Sequence, residues 1–259
     1  NIPLPKPVLV WLRGDSRSIR HRFGTLPMEW MQYGLYRLMG RSWIDFYKNR
    51  LDGFAVASID SKPPSQRYLE LAEGHLEYLK QHGLKPESRM LDYGCGILRL
   101  GLVAIPYLVN GTYVGIDISA GRLERGRQLL RKSGIKDEHY KLHEVNDCSL
   151  KEVAGQQFDF VWAKSVFTHM PTSDIETMLI ALKPRLAAGG QFYFTFSQSD
   201  SPQRKTIKDF YFPVDMMRAI CESCGYEFSV QDDWDAAVQG DVMVRLRLSA
   251  HEGSVTPDA

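Results

Sequence analysis

The run Met90-Leu91-Asp92-Tyr93-Gly94-Cys95-Gly96 carries a short apolar strand into two closely spaced glycines. Lacking a Cβ, each glycine lets the backbone turn sharply and come close to a ligand. A helix-like stretch at 98–108 follows. Working outward from this unit, the same alternation recurs. Strands are expected at 89–93, 112–118, 140–145, 158–164 and 191–196. Helices are expected between them at 120–133, 150–154 and 173–186, and ahead of them at 66–82, where Leu69, Leu71, Leu76 and Leu79 are the expected buried face. Such alternation predicts a parallel sheet covered by helices on both faces. A helix at 214–224 then leads to strands at 227–233 and 241–249. The short turn at Gly240 between those two strands admits an antiparallel pair but not a parallel crossover.

The chain has 259 residues, a net charge of +1, 44% hydrophobic and 24% charged residues, values that exclude a disordered chain, a collagen or a small disulfide scaffold. Cys95, Cys148, Cys221 and Cys224 are too few and scattered for a disulfide framework, and the Cys221/Cys224 pair reads as two helix cysteines rather than a zinc or redox motif. A reducing, cytoplasmic setting is expected. No apolar run is long enough to cross a bilayer. The start, with prolines at 3, 5 and 7, makes a poor signal peptide, and the absence of an initiator Met is what a processed piece would show.

The second strand places Asp117 at its carboxyl end, about twenty residues beyond the glycines, where a carboxylate can accept from the ribose hydroxyls of an adenosine-containing cofactor. Capping of the next helix is the plainer role for Asp117, although Ser119 is better placed for it. After the third strand comes Glu144-Val145-Asn146-Asp147-Cys148, in which Asp147 either meets an adenine amino group or belongs to a surface turn.

Together these segments resemble the class I S-adenosylmethionine-dependent methyltransferases, over roughly residues 66–249. The resemblance rests on Asp-x-Gly-x-Gly at 92–96, the acidic strand end at Asp117, the acidic turn at Asp147, the fourth strand Phe158-Asp159-Phe160-Val161-Trp162-Ala163, and the Gly189-Gly190 turn before the fifth. It implies a Rossmann-like seven-stranded sheet, mostly parallel with an antiparallel last strand, and S-adenosylmethionine as cofactor. By that resemblance Asp92, Tyr93, Gly94, Cys95 and Gly96 shape the methionine end of the pocket. Asp117 holds the ribose, Ile118 packs on the adenine, Asp147 and Cys148 address its edge, and Ala163 and Ser165 line the region of the reactive methyl. Leu98 stands where the family often has a third glycine, and is expected to narrow the approach at the helix start.

An acceptor hydroxyl needs a base, and His169, in Ser165-Val166-Phe167-Thr168-His169-Met170 at the carboxyl edge of the sheet, is the candidate. The competing role is structural, pinning its loop through a backbone bond. Asp200, Tyr211 and Arg99 are further polar residues at this edge, and His75 reads as a surface residue. No His and carboxylate cluster has metal spacing, so no metal is expected.

Three segments are expected: an amino-terminal helical extension at 1–62, the sheet domain at 63–250 and a flexible tail at 251–259. Ser61-Lys62-Pro63-Pro64-Ser65 reads as the linker. The extension carries Lys6, Arg13, Arg17, Arg20, Arg22, Arg37, Arg41, Lys48 and Arg50 against Asp15, Glu29 and Asp45. One or two helices broken near Gly40 present Trp30, Tyr33, Tyr36, Trp43, Phe46 and Tyr47. These aromatics pack on the sheet domain, close a lid over the acceptor, or dock on an anionic membrane or partner. The reading reached is a methyltransferase of a small-molecule or glycan acceptor, at oxygen, with nucleic acid disfavoured. Methylation of a protein or nucleic acid, nicotinamide-dependent oxidoreduction and a non-catalytic cofactor-binding subunit are the alternatives.

Overall fold

The computed structural model describes residues 25–57, 65–235 and 241–249; the 62/63 boundary, most of the linker and the 251–259 tail lie outside them. The elements run α1 (Thr25–Leu38), α2 (Trp43–Ala57), α3 (Gln66–Gln81), β1 (Arg89–Tyr93), α4 (Gly101–Tyr107), β2 (Thr112–Asp117), α5 (Ala120–Lys132), β3 (Tyr140–Glu144), β4 (Phe158–Ala163), α6 (Thr172–Leu182), β5 (Leu186–Gln198), β6 (Gln203–Arg204), β7 (Phe210–Phe212), α7 (Val214–Ser223), β8 (Tyr226–Val230) and β9 (Val242–Leu248).

Strands β3, β2, β1, β4 and β5 are parallel and lie in that order, so the order reverses between β1 and β4. In open sheets of this kind ligands bind outside the carboxyl ends at such a switch point. Strand β9 runs antiparallel between β5 and β8, the expected ending. Alternate residues feed two cores. Leu91, Val114, Val161, Phe192 and Phe194 face α6 and α7, whereas Met90, Tyr113, Phe160, Trp162 and Tyr193 face α3, α4 and α5. Helices on both faces are the consequence.

Several details correct the sequence reading. The sheet has nine strands among the described residues, because the short hairpin β6–β7 adds to the far end of β5 through Ser197 and Gln198. These pieces are too short to show periodicity. Gly189 and Gly190 lie inside β5 rather than ahead of it. Gly189 has φ +73°, and the pairing with β4 shifts register between Phe158 and Phe160. Helix α4 begins at Gly101, not at 98, because Leu98 holds a left-handed φ of +62° that no right-handed helix accommodates. The 150–154 helix is a single 3₁₀ turn, Lys151–Val153. Helix α3 buries Ala72, His75, Tyr78 and Leu79, leaving Leu69 exposed. Its inner face is aromatic: His75 lies 5.4 Å from Trp162 and 5.7 Å from Trp234, ring centre to ring centre.

The break at Gly40, φ +71°, separates α1 from α2 as expected. Tyr36, Trp43 and Phe46 form a small core with Ile207 of the β6–β7 loop. Helix α2 also reaches the switch-point side of the sheet. Asp52 accepts from the Ser119 hydroxyl, 2.5 Å, and from the Gly121 amide, capping α5 from outside. Lys48 pairs with Glu144 and donates to Asn146 Oδ1 at the end of β3.

Candidate functional site

A cavity of about 320 Å³ opens at the β1/β4 switch point, roofed by Trp43, Ile44, Tyr47 and Leu51 of α2. Of the residues expected in the site, Asp92, Tyr93, Gly94, Cys95, Asp117, Ile118, Asp147, Cys148, Ser165 and His169 line it. Gly96 and Ala163 do not. Ala163 is wholly buried in the core, since its side chain points below the sheet. Gly96 is screened by Arg122, whose guanidinium occupies the space that a Cβ would need, and its amide donates to Asp117 Oδ2 over 2.8 Å. Gly94, φ +74°, leaves room for Val166: a Cβ there would stand 2.5 Å from Val166 Cγ2.

Asp117 also accepts from the Ser119 amide through Oδ1, 2.9 Å, so the carboxylate ties the β1 loop to the start of α5. Burial pushes its pKa up, opposed by Arg122 and the two amides. Ser119 caps α5, the task expected of it, its hydroxyl accepting from the Arg122 amide over 3.1 Å. Asp92 is buried, and burial raises its pKa to about 7, against the bond from Tyr113. Asp147 lines the cavity, and its carboxylate is taken up by Ser149 and Lys151, which hold its pKa at about 2.

His169 follows β4 in a 3₁₀ turn. Its Nδ1 lies 2.9 Å from the Lys208 carbonyl and 3.3 Å from Asp209 Oδ1, both acceptors, so this nitrogen carries the proton. A neutral ring then holds its lone pair on Nε2. Burial lowers the pKa, which keeps the imidazole neutral around pH 7. The pinning bond expected of a structural histidine is therefore present, and it sets the tautomer that a base requires.

Asp200 and Tyr211 do not line the cavity, because β5 extends to Gln198 and carries them past its rim. Arg99 does, with its guanidinium 4.9 Å from the Tyr68 ring centre. His75 lines it too and is 3% exposed, contrary to the surface role expected for it. Leu98 is not at the approach: its side chain turns into the core against Gly101 and Gly126. Sequence reasoning missed Tyr68, Arg122 and Lys164, whereas Trp43 and Tyr47 of the α2 roof were among the aromatics for which a lid was one of the alternatives. Arg122, in the first turn after an acidic strand end, was the legible one. Lys164 bonds to its neighbour Ser165 and to Asp241, 77 residues further along the chain. The four cysteines are free thiols, and no His, Cys, Asp and Glu group with metal-binding geometry occurs among the described residues.

Residues 91–192 match a family model described as a methyltransferase domain. A 64-residue stretch is 38% identical to a demethylmenaquinone methyltransferase of Symbiobacterium thermophilum, covering 24% of this chain and about a quarter of that enzyme. The fold superimposes on magnesium protoporphyrin IX methyltransferase from Synechocystis PCC 6803 with S-adenosylmethionine bound, at a TM-score of 0.60 and 16% identity, covering 80% of this chain and 98% of that one. It also matches a glycopeptide N-methyltransferase complexed with S-adenosylmethionine, TM-score 0.54, 12% identity, 67% and 92% covered. Residues 91–192 carry the methyltransferase-domain match, and the strand order, the antiparallel β9 and the glycine loop at the switch point give this chain the fold of these S-adenosylmethionine-bound methyltransferases.

Proposed function

We propose that this protein binds S-adenosylmethionine in the α2-roofed cavity and methylates a small-molecule or sugar-like acceptor at oxygen, in the cytoplasm. The observation that carries this reading is the convergence of Asp92, Gly94, Asp117, Ile118, Cys148, Ser165 and His169 on one cavity. The residues fit the cofactor. Gly94 brings the loop backbone to the cavity wall, a buried carboxylate stands at the end of β2, and apolar Ile118, Val145 and Met170 offer a wall for a purine. Asp117 would hold the ribose, Cys148 and the Asp147 backbone the adenine edge, and Asp92, Tyr93, Gly94, Cys95 and Ser165 the methionine end; Gly96 and Ala163 support these from behind. When bound, S-adenosylmethionine supplies a methyl group already activated on sulfur.

The chain's own tasks are then to exclude water, align the acceptor and take its proton. Trp43, Ile44, Tyr47 and Leu51 cover the cavity. His169 Nε2 accepts the hydroxyl proton, and the Asp209 carboxylate 3.3 Å from Nδ1 favours the resulting imidazolium. Calorimetry with S-adenosylmethionine, S-adenosylhomocysteine and a nicotinamide dinucleotide tests the cofactor, and exclusive binding of the last refutes it. Transfer of a labelled methyl group to pools of sugars, phenols and quinols tests the acceptor; labelling only of amines or of protein removes the oxygen assignment.

One observation favours peripheral membrane contact. Trp30, Met31, Leu35, Leu38 and Met39 expose an apolar stripe along α1, with Arg37 and Arg41 beside it. An anionic bilayer suits that combination. Co-sedimentation with phosphatidylserine vesicles, but not with neutral ones, is the expected result, and equal behaviour with both excludes it.

A further inference from the structure

One basic side chain ties the amino-terminal helices to the candidate base. The guanidinium carbon of Arg204 lies 4.7 Å from the ring centre of Trp30, 5.6 Å from Tyr33, 4.8 Å from Trp43 and 4.7 Å from Phe210. Four rings from α1, α2 and β7 thus surround one cation, each presenting a negative π face. Its Nε donates to the Ile207 carbonyl across 2.8 Å, and Nη2 bonds to the same oxygen. Ile207 is fully buried among Tyr36, Trp43 and Phe46. The next carbonyl along the chain, that of Lys208, is the one that accepts from His169 Nδ1. Trp43, a wall of the cage, donates its indole N–H to the His169 carbonyl, 3.3 Å away.

We infer that Arg204 is a positioning residue for His169: it locks the 205–209 loop so that Lys208 and Asp209 hold the ring in its Nδ1–H form, leaving Nε2 as the basic nitrogen. The inference rests on the methyltransferase reading for its catalytic consequence, but the coupling itself does not need it. Within the loop, Thr206 donates to Asp209 Oδ2, 2.5 Å, and Lys208 Nζ reaches Asp209 Oδ1, 3.1 Å, so the carboxylate beside Nδ1 is itself fixed. From other elements, Tyr47 of α2 packs 5.3 Å from the imidazole and Arg122 of α5 contributes positive charge. Lys208 and Arg122 disfavour the imidazolium, whereas Asp209 and the Lys208 carbonyl favour it. The ring's state therefore depends on where the loop sits. A flexible lysine at 204 cannot present a planar face to several rings while bonding the Ile207 carbonyl through a fork.

The test is ¹⁵N imidazole spectroscopy on the full chain, with His169 assigned by His169→Gln. The wild type is expected as Nδ1–H. Arg204→Met and Arg204→Lys are each expected to move roughly half or more of the ring population to Nε2–H, the form that water favours for a free imidazole. Trp30→Ala, which opens the exposed side of the cage, is expected to give a smaller shift in the same direction and serves if the Arg204 variants do not fold. S-adenosylhomocysteine affinity within about threefold of wild type shows that the cofactor half of the cavity is intact, since Arg204 lies outside it. A wild-type ring in the Nε2–H form, or variants that retain Nδ1–H, overturns the proposal. Altered tautomers together with unchanged turnover would support the coupling and refute His169 as the base instead.

Discussion

The Tyr113 hydroxyl donates to Asp92 Oδ2 across 2.6 Å, behind the wall of the cavity that Asp92 lines. The bond stabilises the ionised carboxylate, while burial and nearby Asp117 raise its pKa to about 7. The folded state therefore binds a proton more tightly than the unfolded chain. This group's contribution to stability is greatest in acid and is lost as pH rises towards 7. Binding of a sulfonium cation favours the ionised form. S-adenosylmethionine affinity, measured by calorimetry, is expected to rise between about pH 6 and about pH 8, and less so for the uncharged thioether of S-adenosylhomocysteine. Tyr113→Phe is expected to move that rise to higher pH.

His169→Gln is expected to lower turnover on the order of 10²-fold with cofactor affinity preserved, measured with any acceptor that accepts label from the wild type. Because burial depresses the imidazole pKa, the acid limb of kcat/KM in the wild type is expected below the ordinary histidine range. Activity is lost as pH falls through that lowered value and is fully present at neutral pH. A glutamine variant with wild-type turnover would leave only the structural role.

Leu98 pairs a backbone strain with a buried side chain. Its φ of +62° favours glycine, yet the side chain is wholly buried against Gly101 and Gly126. Relief of the strain gains about 1 kcal/mol. Loss of the packed leucine costs about 3 kcal/mol. Leu98→Gly is therefore expected to destabilise by about 2 kcal/mol in urea unfolding, with little change in cofactor affinity because the side chain faces away from the cavity.

Asp52 joins α2 to the start of α5 through Ser119 and Gly121. Asp52→Ala is expected to cost about 1 kcal/mol and to raise the dissociation rate of S-adenosylhomocysteine in stopped-flow experiments, since the roof residues Tyr47 and Leu51 flank it on the same helix. Faster amide exchange confined to α2 would accompany it.

The strand alternation, the glycine loop, the carboxylate ending β2 and the antiparallel finish were legible in the sequence, because each depends on local periodicity or on a connection too short for another topology. So were most of the residues gathered at the switch point, though not Tyr68, Arg122 or Lys164, since the carboxyl ends of parallel strands converge there wherever the order reverses. Local pattern did not show that Leu98 takes a glycine's backbone conformation and points into the core, nor that His75 is buried among tryptophans. It also gave no sign of the hairpin β6–β7, whose strands are two and three residues long.

What the sequence determined by itself was the sheet and the chemical character of its edge, because these follow from backbone hydrogen bonding and the alternation of apolar residues. Only the tertiary structure decided what closes the cavity and how His169 is held. Those outcomes depend on pairs such as Trp43 with His169, Asp52 with Ser119 and Lys164 with Asp241, separated by 126, 67 and 77 residues. Contacts at such separations arise when packed layers meet, and no short-range pattern encodes them.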